Sequence, residues 1–164
     1  MRKIITICMA AFICFLSHIA LSEEISGASY LLDKGTSSVI WDINTANLTK
    51  LKTYLEIIEE TYYQLQAEGK SPEMVLAFRG ESVRVISSRM EKASTDAFPE
   101  LLDISALTKR LSNLKGVRLE ACLIAARIYQ VDKSELWANF VPVTNTFLSL
   151  IQFQSAGFAL IPIY

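Results

Sequence analysis

Histidine is all but missing from this sequence, and cysteine and glycine are sparse. The 164 residues hold one histidine, His18, with three cysteines and six glycines. His18, Cys8 and Cys14 all fall within the first 22 residues, so Cys122 is the one thiol of the remainder. Residues 23–164 therefore offer no Ser-His-Asp or Cys-His pair, no His/Cys zinc set and no intramolecular disulfide. The glycines form neither a GxGxxG nor a Walker pattern, so no phosphate-cradling loop is predicted. A basic surplus is missing too. The chain has 16 Lys and Arg against 17 Asp and Glu, whereas nucleic acid calls for a basic footprint. No internal repeat or low-complexity tract is present, and nothing calls for a metal or a cofactor.

What the N-terminus does have is an export pattern. Arg2 and Lys3 precede an almost unbroken apolar run, Ile4 to Leu16, and Ala20-Leu21-Ser22 puts small residues where a signal peptidase reads. The run is shorter than the ~20 residues of a membrane span, and neither Cys8 nor Cys14 follows a small residue, as a lipidation signal requires. The expectation is a cleavable signal peptide at 1–22 and a periplasmic or secreted protein, without a membrane anchor after cleavage. Loss of Arg2 and Lys3 takes the formal charge from −1 to −3. Residues 23–36 are weakly patterned and read as an arm; residues 37–164 read as one domain, long enough to bury a core.

Within that domain, apolar periods switch repeatedly between two and three-to-four. Ser37–Ile43 reads as a strand, with Asn44 or Thr45 as cap of the next helix. Leu48, Leu51, Leu55, Ile58, Tyr62 and Leu65 mark one face of a helix over 46–68. Glu73–Phe78 is a second strand, followed by Arg79-Gly80 and Ser82 as a helix cap. Residues 87–99 read as loop, and Leu101, Ile104, Leu107, Leu111 and Leu114 as a helical stripe. Val117–Cys122 is a third strand and 125–140 a broken helix. Val141-Pro142-Val143 is a short extended piece, and its proline argues against a central place in the sheet. A helix over 145–156 and a last strand over 158–163 complete the order. Strands alternating with helices predict a mostly parallel sheet of about five strands covered on both faces.

Cys122 ends the third strand immediately before a helix-like segment. In an open α/β sheet, ligands bind outside the carboxyl ends of the strands, and the start of a helix favours a thiolate. The competing reading is an inert, buried thiol. Arg79 and Gly80, Asp42 and Asn44 end the neighbouring strands and are the other candidates for the same crevice. The alternatives are a solvated loop charge for Arg79 and helix capping for Asp42 and Asn44.

The pieces VLAFRGESVRVI, LKGVRLEAC, VPV and QSAGFALIPIY occur in an order and spacing that resembles the DsrE/DsrF-like family over residues 37–164. The resemblance implies a flavodoxin-like α/β fold, assembly as a homo-oligomer (trimer or hexamer), and relay of sulfur as a persulfide on the residue matching Cys122. A sulfur donor or acceptor protein would be its partner. Two departures stand out: Arg79-Gly80 replaces a common His-Gly, and Leu123-Ile124-Ala125 replaces a polar Asn-Thr after the cysteine. The apolar replacement raises a thiol pKa, and a nearby Arg79 would oppose it. The alternative function is a non-catalytic assembly or small-ligand-binding protein that keeps the fold. Trp137, Phe140, Phe147 and Phe153 are candidates for an oligomer interface.

Overall fold

In the computed structural model, residues 36–89 and 98–164 are described. The predicted signal segment, the arm up to residue 35 and most of the 87–99 loop lie outside them. Thr36, assigned to the arm, is the first residue of a strand.

The elements in chain order are β1 (Thr36–Ile43), α1 (Leu48–Ala67), β2 (Ser71–Phe78), the single turn α2 (Ser82–Val85), α3 (Phe98–Ser112), β3 (Val117–Cys122), α4 (Leu123–Ile128), a 3₁₀ turn (Lys133–Glu135), β4 (Val141–Val143), α5 (Thr146–Ser155) and β5 (Ala159–Ile163). The five strands form one sheet in the order β4-β3-β2-β1-β5, and every neighbouring pair is parallel. This is a flavodoxin-like α/β arrangement with helices on both faces.

Strand alternation distributes the side chains. Val39, Trp41 and Ile43 of β1, Met74, Leu76 and Phe78 of β2, and Leu119 and Ala121 of β3 join Leu51, Leu55, Ile58 and Tyr62 of α1 and the stripe of α3 in the main core. Each of the Val, Leu, Ile, Met and Phe side chains among them contributes about 1.5–3 kcal/mol by burial. Ile40, Val75 and Ala77 point the other way and meet Leu150 and Phe153 of α5. The chain steps from β1 through β2 and β3 to β4 and then crosses back to β5 beyond β1. A returning crossover of the same hand must use the opposite face of the sheet, and α5 does.

Pro142 sits in an edge strand, as its missing N–H demands. The cap of α1 is neither Asn44 nor Thr45 but Asn47, whose side chain accepts from the Lys50 N–H at 2.9 Å. The ladder runs one residue further than the apolar pattern shows, because the Asn44 N–H donates to the Ile163 carbonyl at 2.8 Å. Ser82 likewise is not a cap but the first residue of α2. Gly116, before β3, has φ +82°, and a Cβ there would strike the Pro72 carbonyl. Phe140, assigned above to an interface, belongs to the core: it is 5% exposed and meets Phe78 edge-on at 5.0 Å.

Candidate functional site

The register puts the carboxyl ends of three strands level. Ile43 faces Phe78, and Phe78 faces Ala121. The next residues, Asn44, Arg79 and Cys122, therefore stand side by side along one rim. The Arg79 N–H continues the ladder by donating to the Ile43 carbonyl at 3.0 Å.

Arg79 turns toward β1. Its Nε donates to Asp42 Oδ1 at 2.5 Å and its Nη2 to Asp42 Oδ2 at 2.7 Å, a bidentate pair. The side chains are 18% and 4% exposed. The hydrogen bond it donates to Asp42 raises the arginine above its ordinary pKa, against the opposing effect of burial. The guanidinium carbon lies 5.2 Å from the ring centre of Phe147 and 5.9 Å from that of Tyr164, within cation–π range. The Tyr164 hydroxyl adds a weaker contact to Asp42 Oδ2 at 3.4 Å. Asn44, with its amide oriented to suit its neighbours, donates to the Arg79 carbonyl and accepts from Arg79 Nη1, both at 3.3 Å. Gly80 (φ +55°) passes so close that a Cβ would overlap the Asn44 amide. Asp42, Asn44, Arg79 and Gly80 are thus one cluster.

Sequence reasoning missed one member. The Ser82 hydroxyl is fully buried within hydrogen-bond distance of the carbonyl oxygens of Ile43, 3.0 Å, and Arg79, 2.8 Å, tying the ends of β1 and β2 together. A serine four positions after a strand's last residue is too common to signal this.

Cys122 sits at the N-cap of α4 in extended conformation and makes no capping hydrogen bond in this geometry. It is 4% exposed, packed with Val83 and Ala125 and flanked by Ile124 and Tyr129. Burial pushes the thiol pKa up. The Thr146 hydroxyl, the Thr146 N–H and the N–H groups of Ala125 and Ile124 favour the thiolate and outweigh burial, so the thiol lies below its ordinary value. These groups belong to the starts of α4 and α5. The Arg79 guanidinium is directed instead to Asp42 of β1, the strand on the far side of β2 from Cys122. Among the described residues no group of three or more His, Cys, Asp or Glu could hold a metal ion.

Fold and rim define an open, parallel α/β sheet with one thiol and one buried ion pair at the carboxyl ends of its strands. No family model matches the sequence. An uncharacterized protein of Aquifex aeolicus (strain VF5) is 27% identical over 123 residues, which are 75% of this chain and 54% of that protein. The chain thus spans about half the length of the curated relative it matches. Among solved structures, MTH1491 from Methanobacterium thermoautotrophicum, a protein of unknown function, shares the fold with a TM-score of 0.57. The match covers 79% of this chain and 99% of that one at 19% identity.

Proposed function

We propose that this is an exported DsrE/DsrF-like protein that takes up sulfane sulfur as a persulfide on Cys122. The observation that carries the proposal is that the Thr146 hydroxyl and the N–H groups at the starts of α4 and α5 hold the Cys122 thiol below its ordinary pKa despite its burial. Such donors favour an anion. In the reaction, the Cys122 thiolate attacks the sulfane sulfur of a donor R–S–SH. A Cys–S bond forms, the donor's S–S bond breaks, and R–S⁻ departs. The product Cys–S–SH loses its proton to water and meets the same donors. Arg79 acts on this centre indirectly, by holding the ends of β1 and β2 together with Asp42.

Export rests on the order of basic, apolar and small residues in 1–22. Assembly into a homo-oligomer has support in apolar side chains left exposed on α5 and β5. Phe147 and Ile151 of α5 are 56% and 59% exposed, and Leu160 and Ile161 of β5 are 39% and 40% exposed. Among the described residues no helix is long and apolar enough to cross a membrane.

A second reading has its own observation. Cys122 is 4% exposed, and the Arg79 guanidinium at the rim is paired with Asp42. On that reading the protein keeps the fold for assembly or ligand binding, without thiol chemistry. Mass spectrometry after exposure to polysulfide separates the two. Sulfur added to Cys122, and absent from Cys122→Ser, is the expected result. An unmodified thiol in the folded protein, with modification only after denaturation, would establish the second reading.

A further inference from the structure

Glu120 lies on the α5 side of the sheet, two residues before Cys122, and takes no part in the rim cluster. Its side chain is 3% exposed. Oε1 accepts from Arg118 Nε at 2.8 Å, whereas Oε2 is buried and has no hydrogen-bond partner among the described residues. A buried carboxylate oxygen left unpaired is costly, so its persistence requires a reason. Glu120 lines a groove of about 390 Å³ between β3, the β4–α5 connection and α5. Arg118 stands at the same groove with its side chain 48% exposed. Its Nε is the atom given to Glu120, and its two terminal nitrogens are unclaimed among the described residues. Ser149 and Gln152 add polar groups to the lining, and Leu148 and Phe153 add apolar ones.

We infer that this groove binds a small zwitterion of the α-amino-acid class, with its ammonium group on Glu120 Oε2 and its carboxylate on the terminal nitrogens of Arg118. The charges carry the argument. Arg118 and Glu120 cancel each other, so a bare cation or a bare anion would leave an uncompensated charge in a partly desolvated groove. An α-amino acid carries its ammonium and carboxylate on one carbon, close together, as the protein carries guanidinium and carboxylate side by side. It closes a ring of four alternating charges and supplies the missing donor to Oε2. Leu148 and Phe153 then face the ligand's side chain, which selects an apolar one. The inference is independent of the chemistry proposed for Cys122.

Calorimetry and side-chain NMR on the folded protein test it with L-leucine, 3-methylbutylamine and 4-methylpentanoate. The last two are leucine without its carboxylate and without its ammonium group. Leucine is expected to bind at least ~10-fold more tightly than either, the worth of one charge-assisted hydrogen bond, and to shift the resonances of Leu148 and Phe153. Glu120→Gln keeps an oxygen for Arg118 but turns an amide toward the ammonium, and should weaken leucine ~10-fold or more while binding the acid no more weakly than before. The ligand series on the unaltered protein stands even where the variant fails to fold. Equal binding of leucine and the amine, or no response to leucine up to ~10 mM, the range of a weak site, would overturn the inference.

Discussion

Arg79 and Asp42 stand 37 positions apart in sequence and meet because parallel register sets Asp42 opposite Ala77, two residues before Arg79. No local pattern announces such a pair, which is why the sequence offered both residues as crevice candidates without joining them. The pair is held at two points and flanked by two rings, so its loss is asymmetric. Asp42→Asn leaves a guanidinium without its counter-charge. It should cost about 3 kcal/mol, the lower end for a buried pair because Arg79 keeps 18% exposure. Urea unfolding should show this as a lower midpoint with an unchanged slope. Cys122 makes a prediction of a different kind. Its folded pKa is depressed, so the thiolate contributes stability above the unfolded value near ~8.5, and that contribution is lost as pH falls through the folded value. Stability measured relative to Cys122→Ser should therefore rise with pH from the folded value up to the unfolded value near ~8.5 and then level off. Thr146→Val removes the largest of the favourable donors, and iodoacetamide labelling at neutral pH should slow about tenfold. An equal rate would show that the threonine hydroxyl has no hold on the sulfur.

Elements with a long, single apolar stripe were legible: α1, α3 and all five strands fall within a few residues of the periods that predicted them. Capping was less legible, because Asn44, Thr45 and Asn47 are all competent and only the Asn44–Ile163 ladder bond decides that the helix starts later. The segment after β3 was legible only as fragments. It divides into the short α4 and a 3₁₀ turn, and the capping box of Asp132 with Glu135 marks the restart. Glu120 was hidden in plain view as a charge inside an apolar run, since sequence shows neither its burial nor its unpaired oxygen. Aromatics near the C-terminus looked alike in sequence and separate sharply in structure. Phe140 is buried against Phe78 and extends the main core, whereas Phe147 lies mostly in solvent over Arg79. Phe140→Ala should therefore cost about 3–5 kcal/mol, and Phe147→Ala about 0.5–1 kcal/mol, the worth of an exposed cation–π contact. Thermal unfolding of the two variants side by side checks the ordering, and similar losses would mean that the α5 ring is structural after all.

For the whole molecule, the sheet was legible as parallel and two-sided, but its strand order was not. Hydrophobic pattern says that a strand is buried and leaves open which strand it neighbours. The order β4-β3-β2-β1-β5 has a kinetic meaning. Pairings among β1, β2, β3 and β4 join successive strands, and each can zip as soon as its partner exists. The seam between β1 and β5 joins Val39 to Ala159, roughly 120 residues away, and such closures are slow. A ribosome delivers β1 early and β5 after every other strand of the sheet. Throughout that interval β1 presents an unpaired edge flanked by Val39, Ile40 and Trp41, the kind of template onto which a stray strand can add. Substitutions in β5 such as Ile163→Val should accordingly speed unfolding while leaving the refolding rate nearly unchanged, the signature of a contact made after the barrier. A slowed refolding limb would place β5 in the nucleus instead. If β5 closes last, nascent chains of this protein are at greatest risk of mispairing just before synthesis of that strand is complete.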